Sequence, residues 1–348
     1  MECRFLFHRA PQSFILATEE VITRSVGEKK APPTVRLNIF DPPAVLVGYS
    51  QDVFEEVNVE EAKRLGFEIG RRPTGGGAIV MIREQTPGWE VWLPKDFPRL
   101  PQTIEGMYEF LAQIPVEMFR YLGVDARFRP KNDIEVGGRK ISGTGLYTDG
   151  RGVMYCGTIL LDLDVELMLR VLRIPIEKMM DKAVKEISKR VVTFRELKGY
   201  VPTINDIKKA LAHAVEVVLN LKVYEGDLND YEKNLLREVE PRYRSEEWIY
   251  WFRRSEGYDR VCTYKTRGGL IRVHLKVVGN TITQIMICGD MFMYPERAVL
   301  DLEAYLKHTP IDMVVNEVEK FFRENNVIIY GLTPKELGEL IEKCCQSQ

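Results

Sequence analysis

No run of about 18 consecutive apolar residues occurs in the 348-residue chain, which excludes a membrane-spanning helix. The first residues, Met1 to Pro11, interrupt their apolar positions with Arg4, His8 and Arg9, so they form no secretory signal. A charge excess is missing too: 49 Lys and Arg face 51 Asp and Glu, a formal net charge of −2. That balance argues against a protein whose main work is to coat nucleic acid or a lipid surface, so neither partner is expected. Histidine is scarce, with four in all, and none of Cys3, Cys156, Cys262, Cys288, Cys344 and Cys345 stands in a Cys-x-x-Cys pair. A zinc site of the usual spacing is therefore unsupported, and the cysteines read as scattered buried thiols of a reduced, cytoplasmic protein. Gly-x-x-x-x-Gly-Lys-Ser/Thr and Gly-x-Gly-x-x-Gly are both absent, so neither a P-loop nor a Rossmann phosphate site is supported. Internal repeats and low-complexity tracts are absent as well.

What is present suffices for one large core and a smaller one. Hydrophobic residues make up 45% of the chain and charged residues 29%, and the length corresponds to about two domains. Ser13 caps a predicted helix over 13–26 that Gly27 closes. Arg36–Phe40 and Ala44–Tyr49 read as strands separated by the turn Asp41-Pro42-Pro43, and Ala78–Ile82 and Glu90–Leu93 add two more. Apolar residues at 104, 107, 108, 111, 114, 118, 119 and 122 keep the period of an amphipathic helix, which Pro115 bends and Gly123 ends. Ile134–Val136, Ile141 and Val153–Leu161 supply strands around glycine-rich turns, and Asp164 caps a short helix to Leu172. Thr203-Ile204-Asn205-Asp206 opens a long helix. Leu270–Val277 then alternates strictly, Gly279-Asn280 turns, and Thr281–Cys288 returns as a hairpin; helices follow near 295–307, 312–324 and 334–345. The organisation expected is a catalytic domain over 1–225, a helix and linker over 226–245, and a small α+β domain over 246–348.

Two windows carry chemistry. The first is Arg71-Arg72-Pro73-Thr74-Gly75-Gly76-Gly77-Ala78-Ile79-Val80. Three glycines remove every Cβ where a bulky or anionic ligand approaches the main chain, and an adjacent guanidinium can add charge-assisted bonds. A plain tight turn before an edge strand explains the glycines equally well. The second window is Lys131-Asn132-Asp133-Ile134, a turn at Gly137-Gly138, and Arg139-Lys140-Ile141-Ser142-Gly143-Thr144-Gly145. An ammonium early in a strand bordered by glycines can reach a ligand held above them and stabilise developing negative charge. Taken alone, this window reads first as a surface hairpin whose Arg-Lys pair faces water.

Both windows in this order, about sixty residues apart, resemble the lipoate–protein ligase branch of the biotin/lipoate ligase superfamily. The resemblance extends over Asn38-Ile39-Phe40, Val47-Gly48-Tyr49-Ser50-Gln51, the glycine block, Asn132-Asp133-Ile134, Gly-Arg-Lys-Ile-Ser-Gly and Gly157-Thr158-Ile159-Leu160-Leu161-Asp162, about 220 residues in all. The later part, from Gly268-Gly269-Leu270 to Gly289-Asp290-Met291-Phe292-Met293-Tyr294-Pro295-Glu296, looks like the accessory domain of these ligases, here fused. The fold implied is α/β, a mixed sheet with flanking helices, followed by a small α+β domain. The activity implied is ATP-dependent: lipoate or octanoate is activated to an acyl-adenylate and passed to a lysine of a lipoyl-domain protein. Such an acceptor would be a glycine-cleavage H-like protein or the acyltransferase component of a 2-oxo acid dehydrogenase.

By the same resemblance, Arg72 and Gly75, Gly76 and Gly77 would hold the phosphate and acyl part, and Ala78, Ile79 and Val80 would pair by main chain with the nucleotide. Lys140 would be the catalytic cation bridging acyl carbonyl and phosphate. Asn132 and Asp133 would contact the adenylate, Asp133 also its Mg2+, with Gly157 and Thr158 completing the site. An apolar tunnel would bury about eight carbons at ~0.8 kcal/mol per CH2. Two departures from the family pattern stand out. Met81 and Ile82 occupy the places of a usual His-Asp pair, and Cys156 replaces the usual histidine before Gly-Thr. A cysteine in this fold opens a second reading, an ATP-independent octanoyl or lipoyl transferase fed by an acyl carrier protein, in which Cys156 would carry the acyl group. A buried small side chain is the plainer account of Cys156. Biotin ligation is a third, weaker reading. The stretch Lys182–Val192 resembles, loosely, the basic loop near the nucleotide.

Overall fold

The computed structural model describes residues 1–173, 180–251 and 257–346. They form two compact units, each discontinuous in sequence. The first comprises Met1–Leu46, Val57–Gly70 and Ile79–Ile249, and the second Val47–Glu56, Arg71–Ala78 and the chain from Tyr250 onward. Among the described residues no helix is long and apolar enough to cross a membrane.

The first unit is built on an eight-stranded mixed sheet. Its strands are β1 (Glu2–Ala10), β2 (Thr34–Phe40), β6 (Gly88–Pro94), β7 (Arg127–Arg129), β8 (Asp133–Val136), β9 (Arg139–Thr148), β10 (Gly152–Thr158) and β11 (Lys222–Glu225). Their order is β11-β1-β2-β6-β10-β9-β8-β7, with β1 parallel to both neighbours and the rest antiparallel. A smaller sheet, in the order β4-β3-β5, holds β3 (Ala44–Val47), β4 (Glu68–Arg71) and β5 (Ile79–Met81). Helix α1 (Gln12–Gly27) covers one face of the large sheet, its Ile15, Leu16 and Ile22 fully buried in one core cluster with Leu6, Trp92 and Met154. On the opposite face Tyr155 of β10 meets the Tyr108 ring edge-on, with centroids 5.7 Å apart. The predicted single helix over 104–122 is broken at Ala112 into Ile104–Leu111 and Gln113–Tyr121. Pro115 sits in the first turn of the second piece, where its missing N–H is harmless; in one continuous helix that N–H would have been needed. The helix Ile204–Leu219 begins with the expected capping box between Thr203 and Asp206.

Five of the labelled strands escape the alternation rule. β1, β4, β7, β11 and β12 (Arg260–Thr266) lie outside the strands that the pattern predicts, because charged residues break their apolar pattern. In β1 the reason is visible: Arg4 is buried and its guanidinium grips Glu232 with two bonds of 2.6 Å, from a helix that spans Asp230–Arg244 and packs on α1.

The second unit carries the antiparallel meander β12, β13 (Gly269–Val278) and β14 (Thr281–Gly289). As the alternation requires, Ile271, Val273 and Leu275 turn to one face and are fully buried. Helices Val314–Glu324 and Pro334–Gln346 pack on each other, and the latter covers β12 and β13. That contact corrects the expectation of dispersed thiols: Cys262 of β12 and Cys344 of the last helix are 82 residues apart in sequence, have Cα atoms 5.8 Å apart, and form a disulfide. Spacing in the sequence could not reveal it, because helix docking makes the pair. Removing the bond with Cys262→Ser is expected to destabilise this unit by about 2–4 kcal/mol through regained loop entropy. Urea unfolding followed by fluorescence checks this, with peptide mapping under non-reducing conditions as the control.

Candidate active site

Lys140 sits at the start of β9, and the ladder to β8 explains where its amine goes. Asp133 pairs with Gly143, Ile134 with Ser142, and Glu135 with Lys140, so the register slips by one residue and Ile141 is the extra residue of a bulge. The bulge reverses the alternation and puts Lys140 on the same face as Asp133 and Gly143. Its main chain is fixed at both its N–H and its carbonyl by the segment 190–192, with Lys140 N donating to Arg190 O at 2.8 Å and Val192 N to Lys140 O at 2.9 Å. Of the basic stretch Lys182–Val192, the side chains of Lys182 and Ala183 lie outside the described residues.

The Lys140 ammonium reaches Asp133 Oδ1 at 2.7 Å, and Arg129 Nη2 reaches Oδ2 of the same carboxylate at 2.6 Å. Burial alone would raise the Asp133 pKa, but the ammonium and guanidinium outweigh it and hold the carboxyl below its usual value. The pairing is therefore complete above the ordinary carboxyl pKa and fades only as pH falls through the lowered value. Asn132 faces the main chain instead: its Nδ2 donates to Thr144 O at 2.9 Å, and its carbonyl accepts from Thr144 Oγ1 at 2.9 Å. The Asp133 expected to hold Mg2+ thus has a cation on each oxygen. Among the described residues no group of three His, Cys, Asp or Glu gathers to hold a metal. These residues do not fit a divalent ion as they stand.

Following the pairing outward from Gly143 gives the rest of this face. Gly157 pairs with Thr144 and Cys156 with Gly145, so Thr158 lies beside Gly143 and Cys156 beside Gly145. Cys156 is the diagonal neighbour of Gly143, about 7–8 Å away across the ladder. Its thiol is half-buried, donates to Gly145 O at 3.5 Å, and packs at the margin of the α1 core cluster. On the far side Cys156 pairs with Glu90 of β6, which pairs in turn with Arg36 of β2. Arg36 and Glu90 form a buried two-bond ion pair, 2.9 Å in each arm, and Asn38 donates to the same carboxylate. Asn38 is legible only through the resemblance, and Arg36 and Glu90 lie outside it. The available signal was two polar residues on the core-facing side of otherwise apolar strands. Gly157 points to the other face, where a Cβ would stand 2.7 Å from the Trp89 ring, so packing alone requires glycine there.

The remaining expected residues divide between the units. Ile79 and Val80 lie in β5 of the first unit, where their main chain pairs with Leu46 and Val45, and Met81 is buried in the α1 core cluster. Arg72, Gly75, Gly76, Gly77 and Ala78 belong to the second unit. There Arg72 Nη2 donates to Gly75 O at 3.2 Å and Gly77 O at 2.9 Å, so the guanidinium shapes the glycine loop itself. A Cβ at Gly75 would stand 2.6 Å from Met291 O, and one at Gly76, whose φ is +90°, 2.7 Å from the Phe292 ring. The room these glycines leave is taken by residues 291 and 292 of the same unit. Arg71 is buried, with Nη1 donating to the carbonyls of Gly48, Tyr49 and Gln51, and burial draws its pKa down to about 9.

Residues 11–216 match the lipoyl protein ligase A/B catalytic domain, and residues 255–341 the bacterial lipoate protein ligase C-terminus. The chain belongs to the lipoyl protein ligase A/B family. Among curated relatives, octanoyltransferase LipM of Geobacillus kaustophilus is 32% identical over 264 residues, covering 69% of this chain and 94% of the relative. LipM of Bacillus subtilis is 27% identical over 265 residues, covering 69% and 95%. Among solved structures, a bi-partite lipoate protein ligase from Thermoplasma acidophilum superposes with a TM-score of 0.65 at 29% identity, covering 74% of this chain and 99% of that one. LipL1 of P. falciparum in complex with lipoate shares the fold over 99% of this chain, with a TM-score of 0.77 at 16% identity.

These relatives overturn the expectation of ATP-dependent ligation. Matches at 23–32% identity, spanning 92–95% of the relatives' lengths, are named octanoyltransferase. The motifs could not separate the two chemistries. A lysine over a bare strand stabilises an acyl oxyanion whether the leaving group is a nucleotide or a thiol.

Proposed function

We propose that this family member is an octanoyltransferase that moves an octanoyl group from the thioester of an acyl carrier protein to a lysine ε-amine of a lipoyl-domain protein, without ATP. One observation carries the reading: relatives named octanoyltransferase align with a chain whose half-buried thiol, Cys156, shares a sheet face with the Lys140 ammonium. In the first step the Cys156 sulfur bonds to the octanoyl carbonyl carbon, the carrier C–S bond breaks, and the carrier thiol leaves with the proton that Cys156 gave up. In the second the lysine nitrogen bonds to the same carbon, the bond from that carbon to the Cys156 sulfur breaks, and one amine proton returns to the sulfur to restore the thiol. Both steps pass through an oxyanion, the charge that the Lys140 ammonium would stabilise.

The test is a nucleotide-free reaction of octanoyl-carrier protein with a lipoyl domain, read by intact mass. Octanoylated domain is expected without ATP, and Lys140→Ala should lower kcat about 10²–10³-fold. Octanoylation that requires free octanoate plus ATP would overturn the reading.

A further inference from the structure

Gly143 lies in the interior of a strand, where glycine packs nothing and loosens the chain. The backbone does not call for it, since Gly143 is not among the glycines with positive φ. Among the described residues, its two chain neighbours aside, a Cβ built there meets only Lys140 within 4 Å, with Nζ at 2.6 Å and Cε at 2.7 Å. The ammonium therefore lies flat on the bare main chain of Gly143, in the space a side chain would fill, with Asp133 gripping it at 2.7 Å. Asp133 and Gly143 are themselves a cross-strand pair. The bulge at Ile141, the missing side chain at 143 and the carboxylate at 133 converge on one point.

We propose that Gly143 is the positioning residue for Lys140: it is the seat that lets the ammonium lie at Asp133 and over the strand beside Thr158 and Cys156. Its consequence for turnover rests on the transferase reading above, whereas the seat itself does not. Any side chain at 143 lifts the amine off the sheet and away from Asp133. The displaced group is the far end of a flexible side chain, so the fold has nothing else to rearrange.

The experiment compares Gly143→Ala, Lys140→Ala and the double variant. Gly143→Ala is expected to keep its unfolding midpoint, to leave KM nearly unchanged, and to lose about 10²-fold in kcat, the cost of misplacing a reacting group by about 1 Å. The double variant should be no slower than Lys140→Ala alone. Independently of turnover, reductive methylation of Lys140, followed by peptide mass, should be faster in Gly143→Ala because the Asp133 partner is lost. An unchanged methylation rate with unchanged kcat overturns the proposal, and so does a double variant clearly slower than Lys140→Ala. If Lys140→Ala itself turns over normally, the transferase role of Lys140 fails, while faster methylation in Gly143→Ala still upholds the seat. Asp133→Asn, which removes the charge but keeps the shape, should raise the methylation rate in the same way.

Discussion

Cys156→Ser is expected to lower octanoyl transfer by more than about 10³-fold, the scale reached when a covalent nucleophile is removed. It should also abolish the octanoyl-enzyme that intact mass detects when the lipoyl domain is withheld. A serine hydroxyl in this place needs a base to become a nucleophile, and the side chain beside it cannot serve. The Glu90 carboxylate already accepts from Arg36 on both oxygens and from Asn38 on one of them. No other cysteine can substitute. Cys3 and Cys288 are buried, which pushes the Cys3 thiol up to about 12 and raises Cys288 strongly. Cys345 is raised to about 11, also by burial, and Cys262 and Cys344 are bonded to each other. Thiolate is the reacting form, so these thiols are inert where Cys156 is half-open. Full transfer by Cys156→Ser would mean that the acceptor amine attacks the carrier thioester directly.

How much of this arrangement the sequence could disclose depended on whether the deciding interaction was local. The β13–β14 hairpin was legible because Leu270–Val277 alternates and Gly279-Asn280 turns, both within reach of a short window. The helix cap at Thr203 and Asp206 was legible for the same reason. Lys140 and Asp133 were found as members of motifs, but their contact was not. It depends on a one-residue register slip that no composition rule encodes. The glycine block shows the opposite failure. Gly75 and Gly76 signal room for a ligand, yet that room is taken by Met291 and Phe292, more than two hundred residues later. Absence of a side chain announces a close approach without naming what approaches. β1 stays hidden in the sequence because Arg4 looks like a surface residue until Glu232 arrives from the far end of the unit.

The same non-local logic sets the largest stability effect. Glu90→Ala is expected to destabilise the first unit by about 3–5 kcal/mol, the cost of leaving a buried charge without its partner. Arg36 is fully buried, its guanidinium lies 5.1 Å from the centre of the Trp92 ring, and its other bonds go to Ile15 O at 3.2 Å and the Thr18 hydroxyl. None of those neutral partners neutralises it, and the side chain is 0% exposed to bulk solvent. Arg36→Ala should be comparably damaging, because it strands the carboxylate instead. The double replacement Arg36→Met with Glu90→Leu removes both charges and fills the volume, so it should lose far less than the sum of the single variants. Urea unfolding of the three variants measures this, and a loss below about 1 kcal/mol for Glu90→Ala would show that water or a rotated neighbour relieves the stranded guanidinium. Transfer assayed on the double variant separates support from chemistry. If the ion pair serves only to brace β2, β6 and β10, Cys156 keeps its place beside position 90 and turnover survives. If the charged row also tunes the Cys156 thiol, turnover falls while the fold stands.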